Sequence, residues 1–146
     1  MRKFLGVLCA ITLLLGATGT GIAADAGSWM ANYLETLPNG FYGIRGEALK
    51  AKLDSGEQLF LLDVRERNEF AVGRIEGSVN IPVREVPKSL DKLPQDKGAE
   101  IVVICAGAVR SGYVVMLLKE KGYQKVTHLG QGFVPAWQKA GYPVVK

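Results

Sequence analysis

The run "EIVVIC", Glu100 to Cys105, constrains the fold more than any other stretch of this chain. Ile101 to Ile104 are all β-branched, with no polar residue between them. A strand with one wet face alternates apolar and polar residues. An unbroken apolar run belongs to a strand covered on both faces, as in parallel sheets whose crossovers carry helices. The flanking pattern supplies such helices. "GEALKAKLDSG" places Ala48, Leu49 and Leu53 on one helical face and stops at Gly56. "QLFLLDV" is a short apolar strand ending at Asp63, "RNEFAVG" gives about two helical turns, and "GSVNIP" is another extended piece. "VPKSLDKLP" holds a brief helix between two prolines. "RSGYVVMLLKEKG" is the strongest helix, with Val114, Val115 and Leu118 at helical spacing and Gly122 as its stop. "KVTHLG" reads as a last strand and "VPAWQKAG" as a last helix. Strands alternating with helices predict an α/β domain with a parallel sheet covered on both faces. In such sheets ligands sit beyond the carboxyl ends of the strands, where Asp63 and Cys105 both fall.

With 146 residues the chain has room for one domain with a real core. Its 48% hydrophobic and 22% charged residues mark it as folded, not disordered. The first residues need separate treatment. Arg2 and Lys3 precede an uncharged run from Phe4 to Ala24, and Ala24-Asp25-Ala26 is an A-x-A pattern. That is the layout of a signal peptide over residues 1–24, cut after Ala24 or after Ala26. The protein is then exported, and periplasmic in a Gram-negative host. The alternative is an uncleaved membrane tether. Ser28 to Thr36 predicts a short amphipathic helix, closed by Pro38-Asn39-Gly40, with Trp29, Tyr33 and Leu37 on its apolar side. It belongs to a helical extension over residues 25–43, ahead of a domain over residues 44–146. Removing Arg2 and Lys3 lowers the net charge from +4 to +2, so charge gives no case for a nucleic-acid partner. Oligomeric state is not legible.

Processing also removes Cys9 and leaves one thiol, Cys105. An exported domain built on disulfides carries an even number of cysteines. A lone thiol is either buried and inert or kept for its reactivity. The residues after Cys105 favour reactivity. "AGAV" reads as a tight connector, in which Gly107 lets backbone N–H groups crowd together, and a helix begins near Arg110 or Ser111. The amides of Ala106, Gly107, Ala108, Val109, Arg110 and Ser111, with the helix N-terminus, form an anion cradle around the sulfur. Arg110 adds a permanent positive charge. Such settings favour the thiolate over the thiol. Other cysteine chemistry fits poorly: His128, the single histidine, sits in a late strand with no supporting pattern, a zinc site lacks ligands, and thiol–disulfide exchange wants a second nearby cysteine.

Three segments resemble the signatures of a single rhodanese domain: "LLDVRERNEFAVGRIEGSVNIP", "VVICAGAVRSGYVVMLLKEKGYQKV" and "GQGFVPAWQKAGYPV". The resemblance implies a rhodanese-like fold, a parallel sheet of about five strands flanked by helices on both faces. It implies sulfurtransferase chemistry with no cofactor or metal. Cys105 is the nucleophile that takes sulfane sulfur from a small donor, thiosulfate or a persulfide, and passes it to a thiophilic acceptor such as cyanide or a thiol. Ala106 to Arg110 are the family's loop. Asp63 orders the site by hydrogen bonding, and Arg65 and Glu69 form a structural pair. Some positions depart from the pattern. Arg74 stands where many members have His, and Gly130-Gln131 where many have Gly-Gly. Ala108 stands where the loop has a later glycine, so a left-handed backbone there would be strained. Pro135 fits the first turn of the last helix.

Two rivals remain. A cysteine-loop phosphatase or arsenate reductase needs Cys-x5-Arg, a wider loop, whereas Cys105 and Arg110 stand in Cys-x4-Arg. A non-catalytic module that carries sulfur or binds a partner would share the fold.

Overall fold

The computed structural model describes residues 21–146, with side chains from 27 onward. The apolar run assigned to a signal peptide lies outside the described residues up to position 20. Among the described residues no helix is long and apolar enough to cross a membrane.

The chain divides into two compact units, at Glu35 and Thr36. In the first, α1 spans Gly21–Glu35. It reaches further toward the N-terminus than Ser28, the expected start. Ala23, Ala24 and Ala26 are the reason, alanine being the strongest helix former. Trp29 stacks on Tyr33 one turn later, ring centroids 5.1 Å apart. The helix ends before Leu37, which therefore does not continue that stripe.

The second unit is built on five strands. In chain order they are β1 (Gly43–Ile44), β2 (Phe60–Asp63), β3 (Val79–Asn80), β4 (Glu100–Ile104) and β5 (Lys125–Leu129). Between them lie α2 (Gly46–Asp54), α3 (Arg67–Val72), two short 3-10 turns (Val86–Lys88 and Leu90–Lys92) and α4 (Val109–Glu120). A wide helical turn, Val134–Gln138, comes after β5 and carries Pro135 at its start. The sheet order is β1-β5-β4-β2-β3, and every paired strand is parallel. β1 is not visible as a strand in the sequence. Its two residues are too few to show a period, and only their pairing with His128 and Leu129 defines them.

The alternation along β4 shows why its sequence is apolar throughout. Ile101 and Val103 enter a core with Val114, Val115 and Leu118 of α4. Val102 and Ile104 point the other way, into a core with Leu49 of α2, Phe133 and Trp137. Both cores are apolar, so neither set of positions tolerates an unpaired polar side chain. Cys105 keeps the beat and turns toward the α4 side.

The chain steps outward from β2 to β3, then returns to lay β4 on the other side of β2 and β5 beyond that. The β2–β4 boundary is therefore the switch point, where loops leave in opposite directions and open a crevice above the strand ends. Asp63 and Ile104 are level across it, so Asp63 and Cys105 end the two central strands together.

Candidate active site

Cys105 is buried, at 1% exposure, immediately after β4. Its sulfur accepts a hydrogen bond from the Ser111 backbone N–H at 3.3 Å, and the thiol donates to the Ser111 Oγ, also at 3.3 Å. Ser111 lies in the first turn of α4, whose free N–H groups and dipole favour negative charge there. The helix starts at Val109, slightly earlier than expected, so the connector is Ala106-Gly107-Ala108.

That connector turns through Ala108, at φ 71° and ψ −21°. The left-handed conformation anticipated there is real, and alanine holds it without the freedom of glycine. Gly107, expected to let the chain crowd together, has open space where a Cβ would stand. The close approach is made elsewhere. A Cβ on Gly132, whose φ is +83°, would meet the Ala106 carbonyl oxygen at 2.4 Å. The corner after β5 thus presses on the cysteine loop, and two hydrogen bonds fasten it: Phe133 N–H to the Cys105 carbonyl at 2.7 Å, and Val134 N–H to the Ala106 carbonyl at 3.3 Å. The corner's left-handed pair is Gln131 and Gly132, so Gln131, which stands where many members have a second glycine, takes a left-handed conformation with a side chain. Sequence reasoning passes over Gly132, whose role rests on its contact with the Ala106 carbonyl.

Asp63 and Arg65 support the same corner. Asp63 is fully buried and accepts from the Arg65 backbone N–H (2.9 Å), Nε (3.0 Å) and Nη2 (2.7 Å). The Arg65 guanidinium lies over the Phe133 ring, 4.1 Å from its centroid, and donates to the Gly73 carbonyl at 2.8 Å. Asp63 therefore reaches the cysteine loop through Arg65 and Phe133.

The expected Arg65–Glu69 side-chain pair is corrected. Arg65 precedes α3 and turns inward to Asp63, meeting only the main-chain oxygen of Glu69, at 3.4 Å. The Glu69 carboxylate instead receives Arg110 as a two-pronged pair, at 2.7 and 2.9 Å. Glu69 Oε2 also caps α3 by accepting the Glu66 N–H at 2.9 Å. The Arg110 hydrogen bonds pull the Glu69 carboxyl down to about 2, against the opposing effect of burial. Glu69 in turn holds the Arg110 guanidinium above its ordinary value, with the Cys105 sulfur a smaller contributor. Arg110 thus stands near the sulfur but is tied to a carboxylate and is not a free cation in the cradle. Beside this pair a cleft of about 350 Å³ runs between Arg65, Glu69, Gly73, Ala106, Phe133 and Gln138. Val109 is 69% exposed on the outer side of the loop.

His128, set aside in the sequence, lies behind the thiol. Its Nδ1 is 3.4 Å from Ser111 Oγ and its Nε2 is 3.1 Å from the Phe41 carbonyl. Burial pushes the imidazole below its ordinary value.

The arrangement is a sulfur at a sheet switch point, gripped by a helix N-terminus and held under a loop pinned from two sides. Known proteins share the fold that builds it. The family described as the rhodanese-like domain matches residues 46–140. The putative sulfurtransferase YtwF of Bacillus subtilis is 38% identical over 91 residues, covering 62% of this chain and 84% of its own length. A sulfurtransferase of Allochromatium vinosum is 30% identical over 102 residues, covering 70% of this chain and 92% of that protein. Among solved structures, a rhodanese-related protein of Thermoplasma volcanium superposes with a TM-score of 0.62 at 32% identity, over 70% of this chain and 96% of that one. With the five-stranded parallel sheet and the family match over most of its length, this chain belongs to the rhodanese-like family of sulfurtransferase domains.

Proposed function

We propose that the protein transfers sulfane sulfur through a persulfide on Cys105, with thiosulfate as a competent donor and cyanide or a thiol as acceptor. The Cys105 thiolate attacks the outer sulfur of thiosulfate. The sulfur–sulfur bond breaks, its electron pair leaves with sulfite, and the enzyme holds Cys–S–S⁻. A thiophilic acceptor then takes the terminal sulfur and returns the thiolate, a two-step covalent cycle. The observation that carries this reading is the grip on the sulfur: Ser111 N–H and Oγ both reach Cys105 Sγ at 3.3 Å. The Cys-x4-Arg spacing supports it, because Cys105 and Arg110 leave a narrower loop than a phosphate's three oxygens need.

We further propose export, with the mature chain beginning at Asp25 or Gly27. Sulfur loading tests the chemistry. Incubation with thiosulfate should add one sulfur atom to the intact mass, at Cys105, removable by dithiothreitol or cyanide. Cys105→Ser should take up none, since serine forms no persulfide. Hydrolysis of an aryl phosphate with no sulfur uptake would overturn the reading. Sulfur uptake without thiocyanate formation from cyanide would make the protein a sulfur carrier and not a thiosulfate:cyanide enzyme.

A further inference from the structure

Among the buried polar groups that the sulfur-transfer cycle leaves unused is His128. It is the single histidine of the chain, is 8% exposed, and stands on β5, the strand beside β4. Three contacts line up through it. Cys105 Sγ is 3.3 Å from Ser111 Oγ, Ser111 Oγ is 3.4 Å from His128 Nδ1, and His128 Nε2 is 3.1 Å from the Phe41 carbonyl. A carbonyl only accepts, so the Phe41 oxygen fixes the neutral ring as the tautomer with hydrogen on Nε2. Nδ1 is then a bare lone pair facing a hydroxyl that itself faces the thiol.

We propose that His128 takes the Cys105 proton through Ser111. The S–H bond breaks as its proton passes to Ser111 Oγ, and the serine's own proton passes to Nδ1. The sulfur keeps the electron pair, the serine ends as it began, and the ring becomes an imidazolium. No oxidant or reductant is needed. In the resting state the Ser111 hydroxyl donates to the Ala108 carbonyl at 2.9 Å, so the step begins with its rotation toward the ring. Once the thiolate forms, Nδ1–H donates to Ser111 Oγ and frees that hydroxyl to donate to the sulfur. The Phe41 carbonyl then holds the far side of the cation. His128 acts through Ser111 and touches no substrate, so it is a positioning residue that also stores the proton.

The charged groups on the elements packed against β5 have partners other than the ring. Arg110 of α4 is paired with Glu69, and Lys119 of α4 lies 4.6 Å over the Tyr42 ring. Glu100 of β4 meets Lys52 at 3.2 Å, and Glu120 meets Lys121. The groups that face the ring are Ser111 Oγ and the main chain of Phe41 and Leu129, with Cys105 beyond the serine. Burial disfavours the imidazolium, so the ring rests neutral with its lone pair available, and the cation it forms is held against that burial by the main-chain oxygen of Phe41.

The proposal rests on Cys105 as the nucleophile, and its test uses neither donor nor acceptor, so a failed sulfur-loading experiment does not sink it. Alkylation of Cys105 by iodoacetamide is measured against pH in the full chain. His128→Asn puts an acceptor at the Nδ1 position that cannot bind a proton. It should slow alkylation near neutral pH by about tenfold or more and move the profile to higher pH, with rates converging in alkali. Superimposable profiles for wild type and His128→Asn would overturn the relay. A second measurement needs no change at His128. As the only histidine, its ring nitrogen resonances are unambiguous, and their titration should shift in Cys105→Ala. An identical titration with and without the thiol would likewise overturn it.

Discussion

Ala108 and Gly132 set the shape of the cysteine loop from opposite sides. Ala108 occupies left-handed space at φ 71° with a Cβ that region disfavours. Strain of this kind costs about 1 kcal/mol at a single residue and persists only where the surroundings hold it. Here the surroundings are the Ser111 hydroxyl on the Ala108 carbonyl and the start of α4. Ala108→Gly should therefore raise stability by about 0.5–1 kcal/mol, with the gain partly offset by the greater freedom of the unfolded chain. The readout is a higher urea midpoint at unchanged slope. Gly132→Ala should do the reverse. Its Cβ would stand 2.4 Å from the Ala106 oxygen and 2.6 Å from the Gly107 nitrogen, both main-chain atoms that cannot rotate aside. The loop must move, and a loss of about 2 kcal/mol or more is expected. Sulfur loading of Cys105 should fall even in the folded fraction, because the displaced atoms are the cysteine's own connector. A Gly132→Ala protein that loads sulfur at the wild-type rate would show that the loop tolerates the shift.

At the scale of elements, α3 and α4 are tied across the site by Glu69 and Arg110, which are 41 residues apart in sequence. The tie carries two predictions. Glu69 has its carboxyl lowered to about 2 from 4.5, so the unfolded chain binds its proton more readily than the folded one. The pair's contribution is full above the unfolded value and is lost as pH falls from about 5 toward 2. With both side chains about a third exposed, that contribution is screened to about 1 kcal/mol. Denaturant midpoints at about pH 7 and pH 3, compared between wild type and Glu69→Gln, should show a smaller acid loss in the variant. The second prediction concerns the donor. Glu69 neutralises Arg110, whose charge the sulfur feels, so a dianion such as thiosulfate must compete with a carboxylate for it. Glu69→Gln should raise kcat/KM for thiosulfate and Arg110→Ala should lower it, by about 1.5 kcal/mol or more in the latter case. Equal kcat/KM in all three proteins would mean that Arg110 only fastens the two helices. The tie also shows where sequence reading stops. α2 and α4 are legible because each carries its helical period within one segment, β2 and β4 because each is a short unbroken apolar run, and Cys105 because a thiol ends the central strand. The Arg65–Glu69 pairing fails because it takes no account of Asp63. Two residues from Arg65, Asp63 offers a buried partner that no helical period reveals. His128 and Gly132 gain their meaning only from contacts made across the sheet.

For the whole molecule, the two compact units separate the question of delivery from the question of chemistry. The buried apolar residues of both sheet faces run from Leu49 to Trp137, and the cysteine loop is fastened by residues 63–134. Cleavage after Ala24 or Ala26 would remove none of them. It would leave α1 starting at Asp25 or Gly27. The mature chain would carry a net charge of +2 from the Asp25 start or +3 from the Gly27 start, instead of +4. N-terminal sequencing of the protein recovered from an exporting host should therefore read Asp25 or Gly27. The processed and full-length chains should load sulfur at Cys105 at the same rate, since every residue that grips the sulfur lies beyond the cut. An intact Met1 in a membrane fraction would replace export with a tethered enzyme. A processed chain that no longer loads sulfur would show that the N-terminal segment completes the site.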